Sequence, residues 1–140
     1  MIYRFDIIGD PVAKSRPRFN RKTGRTWTPG KTMVYENKVS FAYKELYHDA
    51  IPTGEPIRVS IVAYFSPPKA TSKKRLALML ANLIHHVKRP DIDNVVKSVL
   101  DGLNKVAWKD DSQIWSLYGE KRYSEYPHVE VLIEEMRDEL

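Results

Sequence analysis

Nine consecutive residues, Arg89-Pro90-Asp91-Ile92-Asp93-Asn94-Val95-Val96-Lys97, carry the densest reactive chemistry in the chain. Two carboxylates stand two residues apart, directly after a proline and at the start of an apolar-periodic run. On a continuous helix, positions two apart point about 200° away from each other. Asp91 and Asp93 therefore share a ligand only if Asp91 lies in the extended approach or at the cap, which Pro90 favours. Lys97 follows Asp93 by four residues and lies on the same helical face, and Asp101 continues that face one turn later. A second acidic element, Trp108-Lys109-Asp110-Asp111-Ser112, comes after a short gap. Carboxylates gathered together repel one another unless protonated or neutralised. Magnesium resolves this, because it takes carboxylate oxygens plus water. A cation held so polarises a phosphodiester and lowers the pKa of a bound water. Lys97 is then placed to neutralise charge on the phosphate or to hold the water in line. Helix caps and turns also use aspartate constantly, so either motif alone has a structural reading.

Other chemistries fit poorly. Counted from Asp91, the sixth position is Val96 and the twelfth is Gly102, which excludes an EF-hand loop. No P-loop, dinucleotide glycine pattern or HExxH helix is present. The absence of cysteine removes disulfides, thiolate metal sites and a thiol nucleophile. His85 and His86 are adjacent and diverge on either a helix or a strand, so they read as structural or DNA-facing. His48 and His128 show no partner pattern.

Charge is segregated along the chain. Residues 11–35 hold seven basic residues and no acidic one, and so do residues 56–90. Twelve of the eighteen acidic residues fall from Asp91 onward. Within a net charge of +5, this segregation points to basic surfaces for a polyanion, against the plainer reading of a solubilising surface. The expected backbone contacts are Lys14, Arg16, Arg18, Arg21, Lys22 and Arg25 on a long loop acting as a clamp. Lys73, Lys74 and Arg75 open a helix, where its dipole disfavours positive charge unless phosphates approach. Lys88 and Arg89 adjoin the acidic motif.

The elements that must position these groups read as follows. Residues 2–8 form a strand, and residues 10–30, punctuated by proline and glycine, form a loop with a short hairpin around 19–27. Thr32 is expected to cap a helix to about Tyr47, with Tyr35, Val39, Ala42, Leu46 and Ala50 inward. Residues 57–65 alternate as a strand. Thr71 or Ser72 starts a helix with Leu76, Met79, Leu80 and Leu83 inward. A helix over 92–106 buries Val96, Val99, Leu100 and Leu103. Residues 114–123 and 128–135 read as two strands, antiparallel across a turn at 124–127. Trp108 and Trp115 are expected in the core, while Trp27 is free to stack on unpaired bases. The sum is one domain, 1–140, of the α/β class in its α+β form: a small mixed sheet of about four strands flanked by helices. No apolar run reaches the length of a bilayer span and no secretion signal is seen, so a cytoplasmic location without membrane contact is expected.

Taken together, the run 89–97, the stretch Leu100-Asp101-Gly102-Leu103-Asn104 and Trp108-Lys109-Asp110-Asp111-Ser112-Gln113 resemble the central signature of RusA-type Holliday-junction resolvases. Residues 9–18 resemble that family's amino-terminal basic motif. Residues 28–36, from Thr28 through Tyr35 and Glu36, resemble its approach to the first helix. The matches come in family order and span nearly the whole chain. The resemblance implies a homodimer that binds four-way DNA junctions and cuts two strands symmetrically, with Mg2+ or Mn2+ as cofactor. Carried over residue by residue, the metal-binding and catalytic aspartates fall on Asp91, Asp93 and Asp111 and the supporting lysine on Lys97. Asp110 and Asn94 take supporting places behind them, Asp110 alternatively as a turn cap. Residues 67–88 are longer than the same stretch in compact family members, which leaves open a nuclease for flaps or forks. A non-catalytic junction-binding protein and a homodimeric interaction protein also remain open.

Overall fold

The structure, a computed structural model, describes residues 1–27 and 29–139. Thr28, expected in the approach to the first helix, and the last residue of the expected domain lie outside the described residues. Strand β1 (Ile2–Ile8) leads into an irregular arm with a two-stranded ribbon, β2 (Arg18–Phe19) and β3 (Thr26–Trp27). Then come α1 (Gly30–Leu46), β4 (Ile57–Phe65), α2 (Lys73–Leu80), α3 (Ile92–Leu103), a 3-10 turn (Asp111–Gln113), β5 (Ile114–Tyr123) and β6 (His128–Glu135). The fold is α+β, with a mixed four-stranded sheet in the order β1-β6-β4-β5.

Alternation decides which face of the sheet is covered. Tyr3, Phe5 and Ile7 of β1, Val59, Ile61 and Ala63 of β4, and Val129, Val131 and Ile133 of β6 are all buried. Their neighbours in sequence point to the opposite face. The core closes with Tyr35, Val39 and Tyr43 of α1, and Val95, Val99 and Leu103 of α3. Gly102 lets these two helices meet closely, since a methyl there would lie 2.8 Å from the Glu36 carbonyl oxygen. Among the described residues, no helix is long and apolar enough to cross a membrane.

Several expectations need correction. β5 and β6 run in opposite directions but are not neighbours: β4 lies between them, parallel to β5 and antiparallel to β6. The turn that joins them passes the end of β4, where the Ser124 amide donates to the Phe65 carbonyl at 2.9 Å. Pro29, not Thr32, holds the N-cap position of α1. Thr32 is buried and its hydroxyl accepts from the Ser15 amide at 3.3 Å. Leu46, the last residue of α1, is exposed over an open groove beside Arg4 and Asp6, and Tyr43 takes the inward place. Ser72 caps α2 as expected, through the Arg75 amide, but only Met79 of its apolar residues is buried; Leu80 and Leu83 are exposed because the helix lies at the rim. α3 stops at Leu103, not near 106. Asn104 and Lys105 then turn the chain, Lys105 at φ 66°. Trp108 is fully buried, but Trp115 is half exposed and its ring lies 4.8 Å beneath the Arg58 guanidinium.

Candidate nuclease site

Asp91 occupies the N-cap position of α3 in an extended conformation, φ −69° and ψ 142°. This is the backbone state that the two-residue spacing demanded. Its side chain makes no capping hydrogen bond, so a purely structural role as a cap is not what the fold uses it for. Asp93 lies in the first turn and its Oδ1 accepts from the Asn94 amide at 3.0 Å. Both aspartates are exposed, at the helix end whose dipole favours negative charge. Asn94 is exposed as well, and its carbonyl accepts from the Lys14 amide at 2.8 Å.

The turn ahead of Asp91 is fixed from the sheet. Lys121 of β5 donates to the carbonyls of Lys88 at 2.7 Å and Pro90 at 2.9 Å. Sequence reasoning missed this residue. The signal was its place in β5, on the same face as Gly119 and buried Tyr123, where a charge is out of pattern. His86 stacks on Phe65 at 4.3 Å. Burial, with Lys121 nearby, pushes its imidazole below the ordinary value, so it packs as a neutral ring.

One turn beyond Asp93, Lys97 pairs with Asp101 at 2.8 Å. Asp101 also takes Lys14 at 3.0 Å, and Lys14 reaches Glu36 at 2.5 Å. Burial opposes ionisation of Asp101, but hydrogen bonds from Lys97 and Lys14, with their charges, outweigh it and hold the carboxyl below its usual value. The ammonium of Lys14 is raised for the matching reason: burial works against it, and Glu36 and Asp101 prevail. Lys14 was expected to contact phosphate from a free loop. Instead it clamps the arm to α1 and α3.

Asp111 belongs elsewhere. α3 has 12 residues, about 18 Å of helix. Its first turn lies over the middle of β5, where a methyl on Gly119 would stand 3.4 Å from Ile92 and 3.0 Å from Val96. Asp111 lies past the opposite end. Its Oδ1 accepts from the Trp108 indole at 2.8 Å, and Trp108 bridges to Asn104, the C-cap of α3. Asp110 caps the 3-10 turn, accepting from the Ser112 amide at 2.9 Å while Gln113 closes the capping box. The Ser112 hydrogen bonds hold its carboxyl below the ordinary range. The alternative of a turn cap is thus the one that the fold uses.

Among the described residues, no three side chains of His, Asp or Glu gather into a group able to hold a metal ion. As exposed hard oxygen donors, Asp91 with no capping bond and Asp93 with one oxygen taken by the Asn94 amide, the two suit Mg2+, which binds through one or two carboxylates and keeps several waters. Asp111 of the same chain does not complete that set.

Two basic groups adjoin the turn ahead of Asp91. Arg89 and Lys31 line a cleft of about 410 Å3 with Pro11, Ala13, Ser15 and Pro90. Lys31 belongs to the acid-free run 11–35 but was not singled out from it. Arg16, Arg18, Arg21, Lys22 and Arg25 are exposed, as are Lys73, Lys74, Arg75 and Lys88. None of them forms an ion pair among the described residues.

A mixed α+β domain with two exposed aspartates at a helix start, beside a cleft lined by Arg89 and Lys31, is suited to meeting a phosphate backbone. The comparisons make this specific. The family described as Endodeoxyribonuclease RusA matches residues 9–134. The chain is also 36% identical, over 137 residues, to the uncharacterized protein YqaN of Bacillus subtilis (strain 168). That alignment covers 95% of this chain and 96% of the relative. The chain belongs to the RusA endodeoxyribonuclease family.

Proposed function

We propose that this protein is a homodimeric, Mg2+-dependent endonuclease that resolves four-way DNA junctions by paired symmetric cuts, with Mn2+ as a possible substitute. The observation that carries this reading is the exposed pair Asp91 and Asp93 at the start of α3, Asp91 without a capping bond, beside the Arg89–Lys31 cleft. A divalent cation bound there supplies polarisation of the phosphodiester and acidification of the attacking water. Arg89 and Lys31 hold the backbone, and Lys97, oriented by Asp101, offsets charge that develops on the phosphate. A helix length separates Asp111 from the pair within one chain, so in this reading Asp111 enters the site from the second protomer. A two-fold dimer also matches the near two-fold symmetry of a four-way junction. The chain acts as one domain, 1–140, in the cytoplasm.

The test is cleavage of a labelled synthetic junction with and without Mg2+, mapped on every strand. Paired symmetric cuts that need metal and vanish in Asp93→Asn, with junction binding retained, support the reading. Single cuts confined to flaps or forks would replace resolution with a broader branched-DNA activity. Binding without cuts under any divalent cation would refute catalysis.

A further inference from the structure

The β2–β3 ribbon has no core of its own. Its four strand residues are all exposed, and among the described residues its strands pair only with each other. A two-stranded ribbon is marginal in water without an apolar face to bury. Yet this one presents two large aromatic side chains, with Phe19 59% and Trp27 48% exposed. Register separates them. Arg18 pairs with Trp27 and Phe19 with Thr26. Opposed residues share a face and successive residues alternate, so Phe19 projects from one side of the ribbon and Trp27 from the other.

The tip is ordered from within. The Asn20 side chain accepts from the amides of Lys22 at 2.9 Å and Thr23 at 3.3 Å, and Gly24 supplies a left-handed turn at φ +69°. Arg21, Lys22 and Arg25 lie along the tip, exposed and without an ion pair among the described residues. The result is a thin basic blade with one aromatic ring on each face. Intact linear duplex offers such a blade nothing to stack on except at its ends. The centre of a branched DNA exposes the last base pair of each arm, lined by phosphates.

We propose that the ribbon is a wedge for the branch point: Phe19 and Trp27 stack on the ends of two different arms while the tip cations hold the flanking phosphates. The proposal rests on the branched-DNA reading above. It makes the ribbon the element that tells a branch from a duplex, apart from the aspartates that serve cleavage.

The experiment compares the full-length protein with Phe19→Ala/Trp27→Ala, measuring affinity for a four-way junction and for linear duplex of equal length. Stacking of two bases predicts a junction affinity weaker by roughly 30-fold or more, with duplex affinity changed less than about twofold. Thermal unfolding should not move, since both side chains are exposed, and Phe19→Trp/Trp27→Phe should restore junction affinity. Unchanged junction affinity in the double alanine variant overturns the wedge, and so does an equal loss on both DNAs. Wild-type protein that prefers junctions but cuts none removes the nuclease reading and leaves the wedge standing. Wild-type protein with no junction preference removes both.

Discussion

Replacing Lys14 with methionine keeps the side-chain length and deletes the charge. In the fold, Lys14 Nζ lies 2.5 Å from Glu36 and 3.0 Å from Asp101, with under a fifth of the side chain exposed. At an effective dielectric near 20, charges about 3 Å apart attract by roughly 5 kcal/mol, and desolvation offsets most of that gain. Removing one member of a fully buried pair costs about 3–5 kcal/mol. Here Asp101 keeps Lys97 and all three groups retain some water, so about 2–3 kcal/mol is expected. For a chain of this size that lowers Tm by roughly 6–12 °C. DNA binding gives the second readout. A lysine on a phosphate contributes about 0.9 to the slope of log affinity against log salt, and a strut inside the fold contributes nothing. Thermal unfolding and salt titration of Lys14→Met should therefore show a large Tm drop with an unchanged slope. Arg16→Met, which is exposed and unpaired, should show the reverse. An unshifted Tm with a slope reduced by about 0.9 would refute the strut and make Lys14 a phosphate contact.

Two further outcomes follow from the same helix pair. Gly102→Ala puts a methyl 2.8 Å from both the Glu36 carbonyl oxygen and Val39 Cβ, so α1 and α3 must separate, at a cost of about 2–3 kcal/mol; a urea midpoint equal to wild type would contradict this packing. Asp101 is held below its ordinary value of 3.8, so its contribution to stability is complete above that pH and is lost as acid takes the medium through the lower folded value. Asp101→Asn should therefore be less stable than wild type near neutrality, the two converging below pH 3.8 in urea unfolding followed across pH; a gap that stays constant into acid would show that the carboxylate charge is not what stabilises the clamp.

The parts of this fold legible in sequence are those where side-chain periodicity reports burial directly. β4 shows it best: Ile57, Val59, Ile61 and Ala63 alternate in sequence and are all fully buried. Neighbour relations are another matter. The alternation of β6 is the same whether it pairs with β5 or, as it does, with β1 and β4, because periodicity names a face and not a partner. Helix ends fail for a related reason. Leu46 and Leu83 continue apolar patterns past the point where anything remains to cover them. Trp115 lies within β5 yet faces Arg58 in the open, at the point where the register shifts between Ile57 and Arg58.

The candidate site divides along the same line. Local chemistry was readable: the cap position of Asp91, the helical neighbour relation of Lys97 and Asp101, and the turn around Asp110 all follow from spacings of four residues or fewer. Three-dimensional gathering was not. Asp91 and Asp111 look close because only a helix and a turn separate them in sequence, but a helix is a rod, and its two ends are the one pair of places it keeps apart. Lys14 misleads in the opposite sense. It stands in a run that looks like a free basic arm, yet within the fold its ammonium pairs over long range with Glu36 and Asp101. What remains available in that arm is the ribbon beyond it, where Arg18, Arg21, Lys22 and Arg25 have no acidic partner among the described residues and the two aromatic rings have no core. Lys14 fixes the root of the arm and leaves its tip to the substrate. Binding and cleavage should accordingly be separable: substitutions at the ribbon change which DNA is held, and substitutions at Asp91 or Asp93 change what happens to it.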